Sequence, residues 1–168
     1  MRGLLITGLL MGLLVAGPAR AIMSGDESPL LPSSDADYAE GKAAFLAEEW
    51  DRAVAALERV VARRPWHDNA HNMLGFASRK LGLWDKAFDH YAKALELNPR
   101  HKQALEYLGE AYLEQGRIAE ARAVAVRLIK VCDLVVMGFD NQGWKHGCPE
   151  RDDLARAFAE HGVPWPVR

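Results

Sequence analysis

Apolar residues recur along the middle of this chain at spacings of three and four, the mark of one buried face on a helix. Leu105, Leu108 and Tyr112 make one such stripe; Val54, Leu57, Val60 and Val61 make another. The pattern predicts helices over about 36–48, 51–63, 68–81, 85–97, 101–115 and 118–132. Gly82-Leu83-Trp84 and Gln115-Gly116-Arg117 fall between them as turns, with glycine supplying a left-handed cap. Pro65 and Pro99 stop the helices before them, because proline cannot continue the hydrogen-bond ladder.

The stripes return at a fixed interval. Gly41, Gly75 and Gly109 are 34 residues apart, and so are Ala53, Ala87 and Ala121. Pro65 and Pro99, Gly82 and Gly116, and Trp50 and Trp84 keep the same spacing. Small residues in register let two helix backbones approach closely. Each pair leaves an apolar face that only the next pair can cover, which predicts an all-α, right-handed superhelical stack of three helix pairs. The segment His71-x-x-Leu74-Gly75-x-x-Ser78, then Ala87-x-x-x-Tyr91, then Pro99, resembles the tetratricopeptide repeat. Leu105-x-x-Leu108-Gly109-x-x-Tyr112 with Ala121-x-x-x-Ala125 resembles it again, and an earlier unit keeps Gly41, Ala53, Leu57 and Pro65. The resemblance places a repeat domain at 35–133, with units at about 34–67, 68–101 and 102–133.

After Cys132 the period stops. Gly138, Gly143, Gly147 and Asn141 mark a loop that also carries Phe139 and Trp144. Cys148-Pro149-Glu150-Arg151-Asp152-Asp153 then reads as a helix start, with proline at the first position and acids complementing the helix dipole. Leu154, Ala157 and Phe158 form its apolar stripe, which should cap the open end of the third pair. Region 134–168 thus reads as loop, capping helix and an extended tail, Val163-Pro164-Trp165-Pro166, with Trp165 packed on the cap or free for contacts.

At the other end, Met1-Arg2, an uncharged run from Leu4 to Ala16 and Ala19-Arg20-Ala21 have the order of a secretory signal over 1–21. A retained N-terminal anchor is the competing reading. Residues 22–34, with Pro29, Pro32 and four serines, read as a flexible linker. Location is therefore expected to be exported and periplasmic, with no stable membrane insertion once the signal is cleaved. Loss of Arg2 and Arg20 would move the formal net charge from -2 to -4. A near-neutral to acidic chain argues against nucleic acid as the main partner, because that needs a concentrated positive field.

The export reading gives Cys132 and Cys148 a default pairing as a disulfide. Closing a loop of about 16 residues constrains the unfolded chain by roughly 3 kcal/mol. The alternative is a redox or copper-handling protein that uses Cys132 and Cys148 with His146 and Met137. His67 and His101 share one repeat position just before a first helix, and His71 falls at a packing position, so all three read as structural. Lys42, Arg79 and Lys80 read as solvated faces. No nucleophile elbow, phosphate loop or zinc-protease motif occurs. No catalytic residue, metal or cofactor is assigned, and the chain is expected not to be an enzyme.

In the repeat family that the chain resembles, the first helices line a concave groove for a peptide or a partner helix. That resemblance implies a groove made by Tyr38, Lys42, Phe45, Asn69, Asn72, Met73, Phe76, Arg79, Gln103, Glu106, Tyr107, Glu110 and Glu114. The family's carboxylate clamp uses Lys, Asn and Arg where Tyr38, Lys42, Met73, Gln103 and Tyr107 stand here, so a clamp of that kind is not expected. The groove should be basic near the first two repeats and acidic at the third. The expected role is an adaptor or scaffold for a protein or peptide partner, in envelope complex assembly or client holding. Self-association stays open, because incomplete capping can make such stacks dimerise.

Overall fold

The computed structural model describes residues 36–136 and 148–166. Seven helices follow one another: α1 Ala36–Leu46, α2 Trp50–Arg63, α3 Asp68–Lys80, α4 Trp84–Leu97, α5 Lys102–Glu114, α6 Ile118–Val136 and α7 Pro149–Glu160. Among the described residues there is no strand. The helices pair as α1 with α2, α3 with α4 and α5 with α6, and each second helix packs on the next first helix. The first helices α1, α3 and α5 also touch in sequence, side by side, so they form one wall.

The repeated positions explain the pairing. Ala53, Ala87 and Ala121 are fully buried. A methyl group placed on Gly41 would lie 2.8 Å from the Leu57 side chain, and one on Gly75 would lie 2.8 Å from the Tyr91 ring. Glycine is what lets these side chains cross so closely. On Gly109 the same methyl would meet Leu154 of α7, also at 2.8 Å. The residue at the Leu57 and Tyr91 position of the third repeat is Ala125, which is too small to fill that space.

The turns repeat as well. Leu83 N–H donates to the Ser78 carbonyl at 2.9 Å, and Arg117 N–H to the Tyr112 carbonyl at 2.8 Å. Gly82 and Gly116, just before those donors, have positive φ of 73° and 67°. This is the six-to-one closure of a glycine-capped helix end. Val163 N–H closes α7 onto Phe158 in the same way, with Gly162 left-handed. In the first repeat Glu49 N–H reaches the Ala44 carbonyl at 2.9 Å, and the left-handed residue is Glu48, at φ 57°. Arg64 and Asn98, the residues before Pro65 and Pro99, sit at φ near -132°, extended as a following proline requires.

Two sequence expectations shift. The helix expected at 118–132 runs on to Val136, past Cys132. The helix after Cys148 is present with Pro149 at its first turn. It packs on α5 as well as α6, so it covers a side of the third repeat as well as its end. Cys132 and Cys148 are disulfide-bonded, with their Cα atoms 5.8 Å apart, and both are buried. The bridge ties α6 to the first residue before α7. Trp165 packs edge-on against Phe158 at 5.1 Å, and Phe158 and Leu154 are fully buried.

Candidate functional site

The wall of first helices carries an aromatic stripe. Phe45 of α1 lies 5.1 Å from Phe76 of α3, centroid to centroid, and Phe76 lies 4.6 Å from Tyr107 of α5. Trp50, the first residue of α2, joins at 5.7 Å from both Phe45 and Phe76. All four rings are half-buried, so part of each is open to a partner. The 34-residue period identifies Trp50 only as a repeat position and gives no sign of its place in this stripe. Phe76 also takes two cations, Arg79 at 4.9 Å and Lys80 at 5.2 Å from the ring centre. Such contacts hold a ring in place by about 0.5–2 kcal/mol each, more where water is excluded.

The basic half of the wall differs from the expectation. Lys42 and Lys80 are exposed, as a solvated face predicts. Arg79 is not: its side chain is 3% exposed. Its guanidinium donates to Glu110 at 2.8 Å and to Glu114 at 3.4 Å. Arg79 therefore locks α3 to α5 and offers little free charge to a ligand. The misreading has a physical cause: arginine spacing alone cannot tell a solvated cation from one whose acids arrive from the next repeat. Asn72 is buried as well, with its Oδ1 lacking a donor among the described residues.

The acidic side chains of the third repeat, Glu106, Glu110 and Glu114, lie on α5, two of them paired with Arg79. Glu106 is 8% exposed and has neither hydrogen bond nor ion pair among the described residues. Burial raises its carboxyl pKa to about 8, helped by the like charges of Glu110, Asp153 and Glu150 and opposed by Arg79. Tyr107 beside it is raised to about 12, again by burial first and then by Glu106. Glu150 is paired with Lys102 at 3.3 Å, and Asp153 with Arg156. Both acids come from α7, which the period could not place against the wall.

The remaining positions spread along the edges. Tyr38 is half-buried against His67, with ring centres 4.5 Å apart, and Met73 packs beside the α1–α3 core. Asn69 and Gln103 are exposed and border a shallow polar hollow with Asp68, His101 and Lys102. Asn69 accepts from His101 Nε2 at 3.1 Å.

Four histidines, His67, His71, His90 and His101, have structural roles. His67 and His101 cap α3 and α5 through Nδ1, which accepts from Ala70 N–H and Ala104 N–H at 3.3 Å. His71 Nε2 lies 3.1 Å from the Pro65 carbonyl, an acceptor only, so that nitrogen carries the proton. Its Nδ1 then accepts from His90 Nδ1–H at 3.0 Å. Burial holds all four below the ordinary histidine range, His90 down to about 4 with His71 adding to the effect. His146 and Met137, named with the cysteines as a soft-metal or redox set, lie outside the described residues, as do Phe139 and Trp144. Among the described residues no three His, Cys, Asp or Glu side chains converge as metal ligands would.

These paired helices, glycine-capped turns and aromatic inner wall define a helical-repeat solenoid of the kind that serves as a protein-interaction scaffold. Residues 35–65 and 67–132 match the tetratricopeptide repeat, together more than half of the chain, and the chain belongs to that family. The fold is similar to the TPR2B domain in its pHsp70 complex, from yeast Sti1: TM-score 0.61, 22% identity, covering 74% of this chain and 94% of that one. It is similar also to a MamA mutant, with TM-score 0.56 and 24% identity over 61% of this chain and 74% of that one. A probable biofilm formation methyltransferase, WspC of Pseudomonas putida, is 32% identical over 77 residues. That stretch is 46% of this chain and 18% of the relative's length.

Proposed function

We propose that this chain is an exported periplasmic adaptor that holds a protein or peptide partner on the wall made by α1, α3 and α5. The observation that carries the reading is the half-buried stripe Phe45–Phe76–Tyr107, flanked by Trp50. Half-buried aromatic rings in a row offer large rigid area at small entropic cost, which is what interface anchors need. The similar yeast domain was solved in a complex with pHsp70, which supports a binding role for this architecture. The match to the methyltransferase covers less than a fifth of that relative, so we read no transferase activity from it and take the adaptor to be non-catalytic. Periplasmic placement rests on the signal-like segment 1–21. Envelope complex assembly and client holding are the two roles that fit an adaptor there.

The test is capture from envelope extract with wild-type protein and with Phe76→Ala combined with Tyr107→Ala, partners being identified by mass spectrometry. Both side chains are half-buried, so helicity by circular dichroism should persist while capture drops at least about tenfold, the scale of a hot-spot pair. Unchanged capture would show that the partner docks elsewhere.

A further inference from the structure

We infer that the α5 end of this wall is a receptacle for a lysine or arginine of the partner, with apolar residues of the same segment lying along Tyr107, Phe76 and Phe45. This rests on the adaptor reading above and names the chemistry of what is bound.

Three observations support it. Glu106 is only 8% exposed, faces the acids of α7, and has no partner of its own among the described residues. A largely buried acid with no cation beside it resists ionisation, and a cation arriving there would remove that resistance. The nearby cations are already engaged: Arg79 with Glu110 and Glu114, Lys102 with Glu150, and Arg156 with Asp153. Glu106 is thus the acid left over in a group where carboxylates outnumber bases. Finally, Tyr107, next to Glu106 on α5, is the ring that ends the aromatic stripe, and its hydroxyl likewise has no partner among the described residues. A cationic side chain entering beside Tyr107 would meet a charge, a hydroxyl and a ring edge together, while its apolar neighbours reach Phe76.

The chemistry is the reverse of a carboxylate clamp, in which the groove is basic and the ligand acidic. It also predicts a proton. Empty, the Glu106 carboxyl is held protonated by burial and by Glu110, Asp153 and Glu150, against the pull of Arg79. An entering cation favours the ionised form, so binding releases a proton. Affinity should therefore rise with pH, by up to about tenfold per unit, until about pH 8.

The experiment uses two fluorescein-labelled dodecapeptides, capped at both ends, of alternating leucine and alanine with two arginines. In the second peptide both arginines are citrulline, which keeps the shape and removes the charge. Binding is read by anisotropy at pH 6, 7 and 8 with the full chain, Glu106→Gln and Phe76→Ala. The inference expects the arginine peptide to bind at least about tenfold more tightly than the citrulline one. It expects Glu106→Gln to abolish both that preference and the pH dependence, and Glu160→Gln, on an exposed position of α7, to leave both intact. Equal binding of the two peptides overturns the receptacle, as does an arginine preference that survives Glu106→Gln. If Phe76→Ala still weakens either peptide, the wall remains the binding face and only the cation assignment falls. If neither Phe76→Ala nor Glu106→Gln alters binding, both fall. Absence of binding by either peptide also overturns the receptacle.

Discussion

In repeat 2 the space over Gly75 is filled by Tyr91 of the same helix pair, 16 residues further on. In repeat 3 the space over Gly109 is filled by Leu154, 45 residues further on, from a helix that belongs to no repeat. The residue that corresponds to Tyr91 is Ala125. Both solutions bury the glycine, but only the first is local. The second makes the end of the stack depend on α7, which a disulfide ties to α6 at Cys132 and Cys148. The comparison shows what closes a repeat array here: the last pair gives up its own packing residue and takes one from the cap. The cap, in turn, brings Glu150 and Asp153 up to the binding wall, so closure and electrostatics arrive together.

The largest effect should come from breaking that substitution. Leu154→Ala empties a fully buried site and should cost about 2–5 kcal/mol. If Leu154 stands in for the residue missing at position 125, then Ala125→Leu added to Leu154→Ala should recover a part of the loss, while Ala125→Leu alone, crowded against Leu154, should destabilise. Denaturant melts of the four proteins measure the coupling. Strict additivity would mean that the two positions fill different spaces.

The two regions should also separate by pH. Repeat 2 and its borders hold His67, His71, His90 and His101, each with its folded pKa depressed below 6.5. The unfolded chain takes up those protons first, so the stability they contribute is present above about pH 6.5 and is lost as pH falls through their folded values. Glu106, at the α5–α7 seam, has the opposite sign. Its folded pKa of about 8 stands above the usual 4.5, so its contribution is complete below pH 4.5 and declines as pH rises to about 8. Below about pH 6.5 the four histidines outweigh one glutamate, and above it the glutamate dominates among the described groups, so stability should peak at about pH 6.5–7. Each proton of difference changes stability by up to about 1.4 kcal/mol per pH unit. Glu106→Gln should flatten the alkaline limb and leave the acid limb in place, as thermal melts from pH 4 to 9 would record. An alkaline decline that persists in Glu106→Gln would assign it to other groups.

Adding a methyl to each glycine sharpens the comparison at smaller scale. On Gly75 the new Cβ would press on the rigid Tyr91 ring and lie 3.2 Å from the Ala87 carbonyl. On Gly109 it would press on the two terminal methyls of Leu154, which can rotate away. Gly75→Ala should therefore cost about 1–3 kcal/mol. Gly109→Ala should cost less, because the Leu154 methyls can rotate away, while the better helix propensity of alanine, worth about 1 kcal/mol, acts at both positions. Equal losses would mean that α7 is held as firmly as α4.

These contrasts also mark what the sequence can tell. The repeat positions Gly41, Ala53 and their partners are legible because each is a local steric demand that recurs at a fixed distance. The glycine caps at 82 and 116 are legible for the same reason, since only glycine adopts their φ without strain. Leu154 over Gly109 is not, because nothing periodic links an odd helix to the space it fills; the stripe Leu154, Ala157, Phe158 announces a cap but not its seat. At the candidate site, reading by family resemblance and residue type places Phe45, Phe76 and Tyr107 on the first helices, although they stand 31 and not 34 residues apart. It misplaces Arg79 in solvent, because the acids that bind it lie a whole repeat away. It marks Glu106 only as a groove charge; the isolation of that carboxyl depends on helix α7 covering it.

The smallest effect is the most local. Glu48, Gly82 and Gly116 occupy the same turn, and Glu48 alone carries a side chain at positive φ. A left-handed residue with a Cβ is strained by about 1–2 kcal/mol, and glycine relieves this at some entropic cost to the unfolded chain. Glu48→Gly should therefore stabilise the first repeat by up to about 1 kcal/mol, a rise in Tm of about 3–5 °C for a domain of this size. Gly82→Ala should do the reverse in the second repeat: nothing lies within 4 Å of the added Cβ, so the loss would report backbone strain alone. If Glu48→Gly lowered Tm, the Glu48 side chain would have to make a contribution larger than the strain it imposes. The first turn would then differ from the other two in what holds it together and not merely in which residue stands there.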